Sequence, residues 1–126
     1  MIRSGTRSLS ALFFAAAMLL ALPAQAAYPL SGRWTYDDVD SEGPAPKCSP
    51  RYMEFAGARR FDTEGSVRDY RNLQAQSAGT NAWRITDEFF NGQVRGRVIF
   101  TLTQRDDDHI EINMARGPSF RLRRCP

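Results

Sequence analysis

Beyond residue 26 the apolar positions recur every second residue over short stretches. In 93–104, Val94, Val98, Phe100 and Leu102 share one parity. Ile110, Ile112 and Met114 do so in 109–115, and Phe120 and Leu122 in 119–124. Trp83, Ile85 and Phe89 alternate in 81–90, and Trp34 and Tyr36 open the series. A period of two places one set of side chains on one face of an extended strand. Residues 51–61 are less regular, with Ala56-Gly57 as a bulge or a break. Residues 66–75 carry the weakest pattern and admit a helical turn. The pattern predicts seven strands, or eight if 51–61 splits at Gly57.

Turn chemistry separates these stretches. Residues 40–50 form one long loop with three prolines. Asp62–Gly65, Ser77–Thr80, Asn91-Gly92, Asp106–Asp108 and Gly117-Pro118 mark shorter turns. Asn91-Gly92 is the strongest of them, a favoured pair for a two-residue hairpin. Short strands joined by short turns predict an antiparallel meander, which removes its exposed edges by closing into an up-and-down barrel.

The N-terminus follows a different pattern. Arg3 and Arg7 precede an uninterrupted apolar run over residues 11–22, then Pro23 and Ala24-Gln25-Ala26. These are the three regions of a secretory signal peptide, with cleavage expected after Ala26. The run is about 18 Å long as a helix, short of the roughly 30 Å hydrocarbon core, so no membrane span is expected once it is removed. The expected organisation is a leader over 1–26 and one domain over 27–126, in a periplasmic or secreted protein.

Composition matters mainly through that leader. The 126 residues carry 17 Lys and Arg against 14 Asp and Glu, a formal net charge of +3. Losing Arg3 and Arg7 leaves the exported chain near +1, so bulk charge gives no argument for nucleic acid. Both cysteines, Cys48 and Cys125, lie in the exported part, and an even count in an oxidising compartment predicts one disulfide. Cys48 follows the first strand and Cys125 ends the last, which are neighbours in a closed barrel, so the bridge would pin the seam.

Leu30-Ser31-Gly32-Arg33-Trp34 carries a resemblance. A G-x-W at the start of the first strand of a small exported barrel resembles the lipocalin-like (calycin) superfamily. That resemblance implies a tryptophan packed at the closed end, with an arginine of the last strand over it. Arg121, Arg123 and Arg124 are the candidates. The Leu-Ser-Gly-x-Trp form, the size and the single disulfide also resemble the small Inh-type bacterial metalloprotease inhibitors. By that resemblance the extended segment Ala27, Tyr28, Pro29 and Leu30 would enter a protease cleft. In that family the two cysteines lie closer together, whereas here the second is the penultimate residue.

Candidate chemistry points away from catalysis. His109 is the single histidine, on the parity opposite Ile110 and Ile112, and no nucleophile motif accompanies it. No zinc spacing appears. Asp38 to Gly43 resembles the first half of a calcium loop, but the twelfth position is Ser49 and no helices flank it, so a solvated acidic loop is expected. No cofactor is implied. Arg84, Arg95, Arg97, Arg121 and Arg123 fall on the outward parity, with Asp87, Glu88 and Glu111 in reach of some. Of these, Arg95, Arg97, Arg121 and Arg123 are the candidate anion patch. Trp34, Tyr36, Trp83, Phe89, Phe100 and Phe120 point inward, either as core or as the lining of a ligand pocket. The expectation is a non-enzymatic exported protein that recognises a small apolar ligand or a protein partner, with protease inhibition through 27–30 as the alternative.

Overall fold

The structure is a computed structural model and describes residues 26–37, 48 and 50–126. Each alternating stretch forms a strand: β1 Gly32–Tyr36, β2 Tyr52–Ala56, β3 Arg59–Asp62, β4 Asp69–Ser77, β5 Ala82–Phe90, β6 Arg95–Asp106, β7 His109–Met114 and β8 Ser119–Arg124. Every strand pairs antiparallel with the next, and β8 returns to β1 through Trp34↔Arg124, Thr35↔Arg123 and Tyr36↔Leu122. The result is an eight-stranded closed barrel of the up-and-down kind. No helix among the described residues is long and apolar enough to cross a membrane.

Three local readings resolve differently from their simplest form. Gly57 takes a φ of 62°, a left-handed conformation, and turns the chain between β2 and β3, so 51–61 is two strands and not one bulged strand. The ambiguous stretch 66–75 contributes to β4, which runs to Ser77 with an irregularity between Asn72 and Gln74. The Asn91-Gly92 hairpin is longer than two residues: Phe90 pairs with Arg95, and Asn91 N–H donates to the Val94 carbonyl. The Asn91 carboxamide oxygen accepts from the Val94 N–H at 2.9 Å, which stabilises the wider turn.

The inward parity fills the barrel. Trp34, Met53, Phe55, Ile85, Phe100, Leu102, Ile110, Ile112 and Leu122 are all buried. Each large apolar side chain buried this way contributes roughly 1.5–3 kcal/mol before entropic costs. At the end where β1 begins, the Trp34 indole N–H donates to the Ser31 carbonyl at 3.2 Å. Of the three arginines on the last strand, Arg124 is the one over the indole, 4.3 Å from its centroid. Tyr28 closes the same end. Its N–H donates to the Gly57 carbonyl at 3.0 Å, and its ring meets Phe55 edge-on at 5.0 Å.

Cys48 and Cys125 are bonded, with their Cα atoms 5.6 Å apart. The bridge ties the chain before β2 to the end of β8, beside the β1–β8 seam. Thr35, on the outward parity of β1, is buried all the same, because the chain before β2 covers it and the Arg51 carbonyl accepts its hydroxyl at 2.9 Å. The leader over 1–26, all but Ala26, and the acidic loop from Asp38 to Gly43 lie outside the described residues.

Candidate functional site at the barrel mouth

The interior holds charge as well as hydrocarbon. On β3 the alternation turns Arg60 and Asp62 inward and Phe61 outward, because Arg60 is the cross-strand partner of the inward Phe55. Tyr70 on β4 is its partner on the other side. On β5, Asp87 keeps the parity of Trp83 and Ile85 and faces in opposite Asn72. The outward ion-pair role expected of Asp87 is therefore wrong: the residue is fully buried. Charges usually stand at the surface, so Asp87 on an apolar parity reads as a surface group from sequence alone.

These side chains form one buried network. Arg60 Nε donates to Asp87 Oδ2 at 2.9 Å, and Asn72 Nδ2 donates to Asp87 Oδ1 at 3.1 Å. The guanidinium lies against the Tyr70 ring, 3.9 Å from its centroid, and 5.0 Å from that of Phe100. Burial disfavours its charge, but Asp87, with Tyr28 beside it, outweighs burial and holds its pKa above the ordinary arginine value. The Tyr28 hydroxyl reaches this pair from the closed end and is buried without a hydrogen bond of normal geometry. Burial, reinforced by Asp87, raises its pKa well beyond the ordinary phenol value.

Toward the open end Arg60 of this network reaches a pocket of about 230 Å³. Tyr36, Met53, Tyr70, Phe100, Met114 and Phe120 wall it, Arg60 and Asp62 supply polar floor, and Arg116 stands at the rim. Tyr36 donates its hydroxyl to Asp62 Oδ1 at 2.8 Å, and the Glu64 N–H reaches the same oxygen at 2.9 Å. Burial, and then the Asp62 carboxylate, push the Tyr36 phenol far up. The volume equals the share of about eight water molecules and lies below the ~300 Å³ where drug-sized sites begin. Asp87 balances the charge of Arg60, so the floor offers an aromatic-flanked guanidinium beside the Asp62 carboxylate, which accepts from Tyr36 and Glu64.

The six inward aromatics part company here. Tyr36, Phe100 and Phe120 line the pocket. Trp34 is fully buried at the closed end, and Trp83 packs on the core. Phe89 lies over Gly96, its cross-strand partner, and meets Tyr70 edge-on at 5.9 Å. The four arginines of the anion patch are not brought together. Arg121 stands in register with Glu111 and Thr103, whereas Arg97 lies six residues along β6, about 20 Å away. Arg123 pairs with Asp37 at 3.2 Å. In the N-terminal segment Ala27 and Pro29 are exposed, Leu30 packs against the core and Tyr28 is inside it.

His109 lies at the opposite end from the mouth, as the first residue of β7, with Nδ1 2.8 Å from Asp106 Oδ1. That contact, with the Asp108 N–H, holds Asp106 below the ordinary carboxylate value. Among the described residues no three His, Cys, Asp or Glu side chains gather as a metal site.

Sequence reasoning missed Arg60, Asp62 and Asn72. Their signal is faint but physical: Asp87 sits on an otherwise apolar parity, and a charge there requires an inward partner of opposite sign.

Comparison with protein-family models, curated proteins and solved structures finds no match.

Proposed function

We propose that this protein is a non-enzymatic, exported binding protein of lipocalin-like (calycin) kind that holds a small ligand at the mouth of its barrel. The observation that carries this reading is the pocket itself: an open barrel end walled by Tyr36, Phe100 and Phe120 over the buried Arg60–Asp87 pair. The Gly32-x-Trp34 start with Arg124 over the indole supports the calycin kinship. The leader pattern and the disulfide support export to an oxidising compartment.

The ligand class follows from the lining. A compact, mainly aromatic or apolar molecule with one or two hydrogen-bonding groups matches the walls and floor. Long chains do not match, because the core side chains occupy the barrel below Arg60. An inhibitory plug at Ala27–Leu30 is the less supported reading, since Tyr28 is spent on closing the barrel.

Screening a library of small aromatic fragments by heteronuclear NMR tests the proposal. Amide shifts should concentrate on Tyr36, Asp62, Met114 and Phe120. Shifts confined to the outer arginines, or none, would overturn it.

A further inference from the structure

We propose that the β5–β6 hairpin, with the outer face behind it, docks this protein on an anionic lipid bilayer. The proposal is independent of what the mouth pocket holds. Phe90 and Val94 flank the hairpin tip and are 65% and 55% exposed, well above Leu73 at 36%, the other large apolar residue on the described surface. Phe90 leaves the apolar parity because it follows the inward Phe89, and its cross-strand partner is Arg95.

Two residues behind the tip a second row crosses four strands. Arg59 pairs in register with Arg71, Arg71 with Glu88, and Glu88 with Arg97. Arg59 has Asp69 at 3.8 Å, but Arg71, Arg95 and Arg97 have no ion-pair partner among the described residues. Four arginines thus face two acids on one side of an exported chain that is nearly neutral overall. A recess of about 440 Å³ opens on this face between Arg59, Arg71, Glu88 and Phe90.

The geometry suits a lipid interface. Two strand residues span about 7 Å, so arginines sit at headgroup depth when Phe90 and Val94 reach the acyl boundary. Arg95, opposite Phe90, would lie among the phosphates, where its guanidinium can bond two oxygens. A rigid protein partner needs a flatter and far larger patch than two apolar side chains on a convex tip. Lipid yields around such a tip, and the arginines add attraction that fades with salt.

The test is co-sedimentation of the exported chain with vesicles of phosphatidylcholine alone and of phosphatidylcholine mixed with phosphatidylglycerol. Binding should need phosphatidylglycerol and weaken as salt rises. Phe90→Ser/Val94→Ser and Arg95→Gln/Arg97→Gln should each weaken it about 10-fold or more, with thermal melts unchanged because these side chains are exposed. A Phe90→Trp variant should also show a blue-shifted emission on phosphatidylglycerol vesicles. No binding to those vesicles, or binding that survives both double substitutions, would overturn the proposal. So would equal binding to soluble polyglutamate that Phe90→Ser leaves intact, which would assign the face to an acidic polypeptide.

Discussion

Arg60 and Asp87, 27 residues apart in sequence, form an ion pair inside the barrel with side chains only 6% and 0% exposed. Taking both charges out of water is costly, and the pair is stable in place only because each partner satisfies the other and Asn72 takes the second carboxylate oxygen. It sets the depth of the pocket, because the apolar core ends where the guanidinium begins.

Breaking the pair should therefore cost more than replacing it. Asp87→Ala leaves a buried, unmatched guanidinium and should lower stability by about 3–5 kcal/mol. The double substitution Arg60→Met/Asp87→Leu should lose much less than Asp87→Ala alone. Urea unfolding midpoints of the two variants check the order; equal losses would show that the pair is not coupled.

The disulfide closes a loop with a sequence separation of 77 residues. Chain entropy assigns about 4–5 kcal/mol to a loop of that length. Cys48→Ala/Cys125→Ala should lower the unfolding midpoint accordingly, and reductant should bring the wild type close to the variant. A midpoint that ignores reductant would contradict the assignment.

Alkaline pH should unfold the barrel through its phenols. Tyr28 and Tyr36 have folded pKa values above the ordinary value of about 10, chiefly from burial, then from Asp87 and Asp62 respectively. Because the neutral form is favoured in the fold, their stabilisation is complete below pH ~10 and is lost as pH rises beyond it. Phenolate absorbance from these two residues should appear only together with loss of the near-ultraviolet dichroism. Separate, earlier ionisation would place the rings in solvent. On the acid side the sign reverses. The hydrogen bond and charge of Arg105 hold Glu111 below the ordinary carboxylate value, so its contribution is present above that value and lost as pH falls.

Gly96 is required by Phe89. A Cβ on Gly96 would run into the ring of its cross-strand partner. Gly96→Val should cost about 1–3 kcal/mol through displacement of Phe89, whereas Gly92→Val tests only the left-handed φ of 91° in the open turn. Thermal melts of both, beside the Tyr70–Phe89 ring contact seen by NMR, distinguish crowding from backbone strain.

The barrel was legible in the sequence because period-two patterning and turn residues act locally. Val98, Phe100 and Leu102 announce β6, whereas Val94 of the same parity falls in the turn before it and is exposed, and Gly57 marks the break that makes the strands eight. The disulfide was legible because only two cysteines exist. The floor of the pocket was not, because it depends on pairing three strands. Arg60 and Asp62 alternate with Phe61, so β3 taken alone reads with Phe61 inside, and only its register against Phe55 and Tyr70 turns the charged residues inward. Asp87 carried the right parity but the wrong polarity for an inward residue. Shared parity likewise puts the arginines of the anion patch on one surface without saying how far apart the strands set them: Arg95 and Arg97 lie together on β6, and Arg121 and Arg123 lie away from them on β8.

The most direct measurement of the central claim is native mass spectrometry of the mature protein recovered under mild conditions from its own exported fraction. The expected result is a chain lacking residues 1–26, two hydrogens lighter than its reduced form. It should carry one small adduct that is released on denaturation and is absent when Arg60 and Asp87 are both replaced. A bare monomer with the disulfide formed, unchanged after incubation with the small aromatic fragments, would contradict a binding role for the barrel mouth.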